Sequence, residues 1–366
     1  MKRHFIIIMA AVLGLFAATA CVETLEESGA LGNLSIAVVD EEGLATKASG
    51  VDKLTGEFAA KDAQVFLFDN NGNLYRKIDI TGGTGESLSK TENSIKVGTY
   101  TVAVVLNGLA SSFTDLSGIK TLAELQRTAV TLATSIPANQ FTMYGEQGQV
   151  TVQSGKTATA TVGVKRFVSR IRLVSVKNNL PAAYGALTVN EVFVINALST
   201  WNLAGSGAAD GKFNWAGRQW GKSETTGNLI TAASHAVYDN VAYGTQTFAS
   251  VGKSVAASAT ENIGNAFYVY PNGTADDKGS TETFNGPMAT SKSAPSRLVV
   301  AATINSTKYY YPVTVPAMAR NNTYDIALTI KGFGSDDPNK EVLMGNMSVT
   351  INVDPWTGGS ELTPSI

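Results

Sequence analysis

Apolar residues at every second position constrain this chain more than any other feature. Leu34, Ile36 and Val38 alternate with smaller residues near one end, and Met347, Val349, Ile351 and Val353 keep the same period near the other. Successive side chains of a strand point to opposite faces, so this period predicts half-buried β-strands. Further strands are expected over 64–68, 74–76, 100–106, 149–152, 158–164, 188–195, 266–270, 297–304, 308–315 and 323–330, with polar turns between them. DNNGN at 69–73 joins the first two of these as a hairpin, and QSGK at 153–156 is expected to join another. The one helical stretch falls within 113–135, where Thr121 and Glu124 form a capping box and Leu122, Leu125 and Ala129 share a face.

Many short strands, little helix and 366 residues predict an all-β chain of two β-sandwich domains in tandem, with one short helix in the N-terminal domain. The expected division is 1–20 as a signal, 21–47 as a leading segment with the first strand, 48–160 as the first sandwich and 161–366 as the second. KRFVSRIRLVSVK at 165–177 opens the second domain, with Phe167, Ile171 and Leu173 on one strand face and Arg170 and Arg172 on the other.

The N-terminus is a secretory signal. Lys2 and Arg3 precede an apolar run over 5–18, and Ala18-Thr19-Ala20 supplies small residues before Cys21. The run is shorter than the roughly 20 residues of a membrane span. Cys21 is the single cysteine of the chain, so no intrachain disulfide can form. Its place resembles a bacterial lipobox, with Ala18 where leucine is commoner; an ordinary signal cut near a cysteine is the alternative. The resemblance implies a lipidated Cys21 as the mature N-terminus. Glu23, Glu26 and Glu27 follow, similar to segments that send lipoproteins to the outer face of the outer membrane.

Charge and residue usage narrow the function further. With 28 Lys and Arg against 30 Asp and Glu, no basic field exists to hold nucleic acid. His235 is the one histidine beyond His4 of the signal, which excludes His-based nucleophile pairs and His-rich metal sites. Carboxylate chemistry of the glycosidase kind remains open on residue types alone. Asp69, Asn71 and Asn73 are spaced like calcium ligands, but glycine stands fourth and Ile80 twelfth where an EF-hand needs glycine sixth and glutamate twelfth. GGTGES at 82–87 lacks the lysine of a phosphate-binding loop. No cofactor is expected, and the chain is not read as an enzyme.

Several stretches together resemble the fimbrillins, subunits of protease-assembled (type V) pili of anaerobic bacteria. They are the Cys21 lipobox, VKRFVSRIRLVSV, FYVYPN at 267–272, RNNTYDIALTIKGFG at 320–334 and NMSVTINVDPW at 346–356. The resemblance implies a secreted lipoprotein with two transthyretin-like sandwiches, whose first strand a protease removes outside the cell. The C-terminal strand of a neighbouring copy or related pilin then fills the vacancy. The family's cleavage site is commonly an arginine; here the matching loop, GLATKASG, holds Lys47 followed by Ala48. Lys47 is either that site, for a protease that accepts lysine, or a solvated loop lysine.

The residues themselves fit such an exchange. An unpaired sheet edge templates an incoming strand. Met347, Val349, Ile351 and Val353 would contribute about 1.5–3 kcal/mol each if buried. The alternative is that this strand simply ends the second sandwich. The expected partners are other subunits, the processing protease and, through the lipid, the outer membrane. The competing functions are a tip adhesin and a surface glycan-binding lipoprotein. For the latter, Trp201, Trp215 and Trp220 are the natural stacking platform, unless they pin their long loop to its own domain.

Overall fold

The structure, a computed structural model, describes residues 29–41, 59–85, 87–109, 113–132, 141–195, 197–198, 200–205, 215–216, 248–273, 295–338, 340–343 and 345–355. Cys21, Lys47, Ala48, Trp220 and His235 lie outside them.

The first half builds one seven-stranded sheet. Its strands are β1 (Leu31–Asp40), β2 (Ala63–Phe68), β3 (Leu74–Ile80), β4 (Leu88–Lys96), β5 (Gly98–Leu106), β7 (Met143–Val152) and β8 (Thr157–Arg166), with β6 (Ala129–Thr131) outside the sheet. The order is β3-β2-β5-β7-β8-β1-β4. β7 and β8 pair only through Met143 with Arg166 and Tyr144 with Lys165. At their other ends β7 pairs with β5, Val152 facing Gly98, while β8 pairs with β1, Thr157 facing Asn33. The expected QSGK hairpin is therefore corrected. The tetrapeptide makes a turn, Lys156 N–H donating to Gln153 O at 3.2 Å, but the strands it joins diverge to different neighbours.

The DNNGN hairpin is present, as β2 and β3. One Asp69 carboxylate oxygen accepts from the backbone N–H groups of Asn71 and Asn73, both at 2.9 Å, so the side chain closes a turn. Among the described residues no cluster of His, Cys, Asp or Glu is placed to hold a metal.

The helix is shorter than its apolar pattern predicts. Helix α1 is Leu122–Arg127, with the capping box formed: Glu124 N–H donates to Thr121 Oγ1 at 3.2 Å, and Thr121 N–H donates to Glu124 Oε2 at 3.0 Å. The backbone N–H of Lys120, donating to Glu124 Oε2 at 2.8 Å, and that of Thr121 hold the Glu124 carboxyl below its ordinary value. Leu125 is buried, but Ala129 leaves the helix and starts β6.

The second half holds β9 (Ser169–Asn178), β10 (Leu187–Ile195), β11 (Ala197–Leu198), β12 (Thr200–Asn202), β13 (Trp215–Ala216), β14 (Phe248–Val255), β15 (Thr260–Val269), β16 (Arg297–Ile304), β17 (Thr307–Thr314), β18 (Asn322–Ile330) and β19 (Met347–Pro355). Its two four-stranded sheets run β14-β10-β16-β17 and β15-β9-β18-β19. β8 ends at Arg166 and β9 begins at Ser169, so the change of sheet falls between them. Arg170 of β9 is fully buried, and Arg172 makes a close paired contact with Asp325 of β18.

The halves are joined by short-range contacts. β12 pairs antiparallel with β6, Trp201 facing Val130. Trp201 is 8% exposed and its ring stacks on Tyr270, centroids 6.1 Å apart. Phe141 meets Tyr268 edge-on at 4.7 Å. Trp201 thus pins its segment, and its ring is not an open platform for sugar.

Candidate functional site

The first strand is held on both sides. β1 pairs antiparallel with β4, from Leu31 facing Lys96 to Val38 facing Leu88. It pairs parallel with β8, from Asn33 facing Thr157 to Asp40 facing Val164. Sequence alternation foretells a strand here, but not two neighbours, one of them 124 residues downstream at each pair. Leu34, Ile36 and Val38 point into the core at 0%, 0% and 1% exposure. Burying three such side chains contributes roughly 5–9 kcal/mol gross. Taking β1 away would leave a slot with two open edges and three apolar pockets.

Both ends of the slot have distinct chemistry. At the start, Gly32 approaches the β7–β8 turn so closely that a Cβ would lie 2.3 Å from the Gln153 carbonyl oxygen and 2.8 Å from Val152 Cγ1. Only glycine fits without the backbone moving. At the finish, Asp40 accepts from Arg166 Nη2 at 3.2 Å, and Arg166, itself fully buried, also donates to Asn321 Oδ1 at 2.8 Å. Glu41 pairs with Lys165 at 3.0 Å. Arg320 reaches across from the second half and donates to the carbonyl oxygens of Tyr144 and Lys165 at 3.1 and 3.2 Å. Glu41, Tyr144, Glu146, Lys165, Arg320 and Asn321 line a polar cleft of about 730 Å³ beside this junction. Burial pushes the Tyr144 hydroxyl up, with the charge of Glu146 adding to it. Burial likewise holds the Arg320 guanidinium below its ordinary value, and Glu41 opposes that. β1 thus runs from a glycine gate to a charged junction, where its last residue, Asp40, and the next, Glu41, meet Arg166 and Lys165.

The candidate donor strand occupies a different setting. Among the described residues β19 lies at a sheet edge with β18 as its one ladder, from Met347 facing Ile330 to Pro355 facing Asn322. Met347, Val349 and Ile351 are half-buried against the core, while Val353 is 46% exposed. In the free chain this strand therefore does close the second sandwich, but only on one face and one side. Asp40, Glu41, Arg166 and Gly32 were not foreseen as site residues. The acids are visible as the end of the alternating run; their cationic partners are not, because 126 residues separate Asp40 from Arg166.

Comparison with known proteins places this architecture. Residues 42–192 match the family model of fimbrillin-A associated anchor proteins Mfa1 and Mfa2. A fimbrilin (FimA) from Porphyromonas gingivalis W83 superposes with a TM-score of 0.59 at 16% identity, covering 90% of this chain and 99% of that one. A proposed cell adhesion protein of Bacteroides eggerthii gives 0.61 at 19% identity, covering 90% and 97%. The tip fimbrial protein Mfa3 from Porphyromonas gingivalis, with C-terminal truncation, gives 0.50 at 12%, covering 89% and 100%. No curated protein matches. The all-β sandwich architecture expected from the sequence is the one these fimbrilin structures share.

Proposed function

We propose that the chain, whose residues 42–192 match the family model of fimbrillin-A associated anchor proteins and whose fold is similar to that of a fimbrilin, is a structural pilus subunit that polymerises by strand exchange. In this reading it is secreted as a lipoprotein anchored through Cys21 to the outer membrane. A protease then cuts after Lys47, which releases the subunit from its lipid and frees β1. A neighbour's β19 fills the slot, and the product is an extracellular fimbrium.

One observation carries the proposal: among the described residues β1 is flanked by two ladders, whereas β19 has one. A strand that leaves β18 and enters the slot exchanges one set of backbone bonds for two. It also exchanges half-buried apolar contacts for enclosed ones. The directions agree as well. β19 begins at the end of β18 farthest from the junction, roughly 30 Å away at about 3.4 Å per residue. Released from β18, it would meet the outer tip of the next subunit, where β1 begins, and run inward with the polarity of β1. Until the cut, the chain's own β1 is present at a large effective concentration and excludes any neighbour.

A second reading is an anchor subunit at the base of the pilus, favoured by the name of the matched family model. An anchor would keep both its lipid and its first strand. Surface extract run on an SDS gel without heating is expected to give a high-mass ladder that collapses to a single band on boiling. A monomer at both temperatures would contradict polymerisation.

A further inference from the structure

The two ends of the chain spell the same strand. Leu31-Gly32-Asn33-Leu34-Ser35-Ile36-Ala37-Val38 aligns without a gap on Met344-Gly345-Asn346-Met347-Ser348-Val349-Thr350-Ile351. Gly, Asn and Ser are identical, and each apolar residue but Ala37, which stands against Thr350, matches an apolar one. The inward row changes from Leu34, Ile36 and Val38 to Met347, Val349 and Ile351. One methylene lost at the second position is regained at the third, and Leu to Met nearly conserves volume, the kind of exchange a packed core tolerates best.

Gly345 is the informative residue. In its own domain a Cβ on Gly345 would meet nothing within 4 Å, and its φ is not in the left-handed region. Nothing at home requires glycine there. Gly32, its counterpart, has no room for a Cβ at all. Asn346 is less telling, because its side chain already donates to Phe333 O at 2.9 Å.

We propose that β19 of a second copy fills the slot in one fixed register, Gly345 at the place of Gly32 and Met347, Val349 and Ile351 at those of Leu34, Ile36 and Val38. This rests on the strand-exchange reading above and adds to it the register and the residue that enforces it. The same alignment puts Asp354 at the place of Glu41, facing Lys165. Val353 falls at the place of Asp40, so the incoming strand matches the apolar pockets and the glycine gate more closely than it matches the buried Arg166. A slip by one residue would turn the whole apolar row outward, and a slip by two would drive a side chain into Gln153.

The test uses full-length chains processed and assembled in the usual way. Gly345→Ala is expected to leave the melting midpoint of the monomer unchanged and to cut assembly about tenfold or more, since its new Cβ meets the Gln153 oxygen of the neighbour. Ile351→Asp is the reference that blocks insertion whatever the register. If Ile351→Asp blocks and Gly345→Ala assembles normally, the register is overturned while strand exchange stands. If neither blocks, the reading beneath it is overturned. A second measurement does not depend on the stability of the Gly345 variant. Ser35 faces Thr91 of β4 and Ala37 faces Ser89. Assembled Ser348→Cys, Thr91→Cys subunits are therefore expected to form disulfide-linked ladders on oxidation, and Ser348→Cys, Ser89→Cys subunits are not. The opposite pattern overturns the register.

Discussion

Ile36→Ala is expected to destabilise the unprocessed chain by about 2–5 kcal/mol and to leave the assembled polymer as stable as the parent. Ile36 is fully buried between two ladders, so truncation removes its transfer energy and opens a cavity in the first sandwich. The melting midpoint of the precursor should fall by on the order of 10 °C. Under the proposed strand exchange the polymer would have lost residue 36 with the rest of β1, and another subunit would fill its slot. The temperature at which the unheated SDS ladder collapses should therefore not move. A polymer weakened in parallel with the precursor would mean that β1 stays in place.

The reciprocal substitution should have the reciprocal effect. Val349→Asp and Ile351→Asp lie on the half-buried face of β19, where a carboxylate can still reach water, and the monomer should lose only about 1–2 kcal/mol. In the slot the same carboxylate would be enclosed among the former neighbours of Ile36 or of Val38, both buried in the core. Assembly should be abolished, read as loss of every band above the monomer in unheated extract. Normal ladders from these variants would remove β19 as the donor. Variants that fail to fold as monomers would assign the strand to its own sandwich alone.

The local features of the fold were legible because local features carry their own cause. Alternation at Leu34, Ile36 and Val38 needs only the pleat of a strand to be read. The Thr121–Glu124 capping box is a reciprocal pair three residues apart, and it forms as the spacing predicts. The helix ends early because Ala129–Thr131 is claimed by Trp201, which lies far along the chain and leaves no mark near residue 129. The QSGK turn does not close a regular hairpin for the same reason. Its flanking strands alternate as hairpin arms do, but β5 and β1 offer each a longer ladder. The charged junction could not be read at all: Asp40, Arg166 and Asn321 meet only once both halves are folded. The match between the two terminal strands was present in the letters throughout. It acquires meaning only when Gly32 proves sterically obligatory and Gly345 does not.

The N-terminal sequence of subunits recovered from assembled material tests the central claim most directly. Strand exchange after a single cut predicts a start at Ala48, or within residues 46–53, with the acylated Cys21 and the whole of β1 absent. Assembled subunits that still begin at acylated Cys21 would contradict it, since a retained β1 leaves no slot for a neighbour's strand to fill.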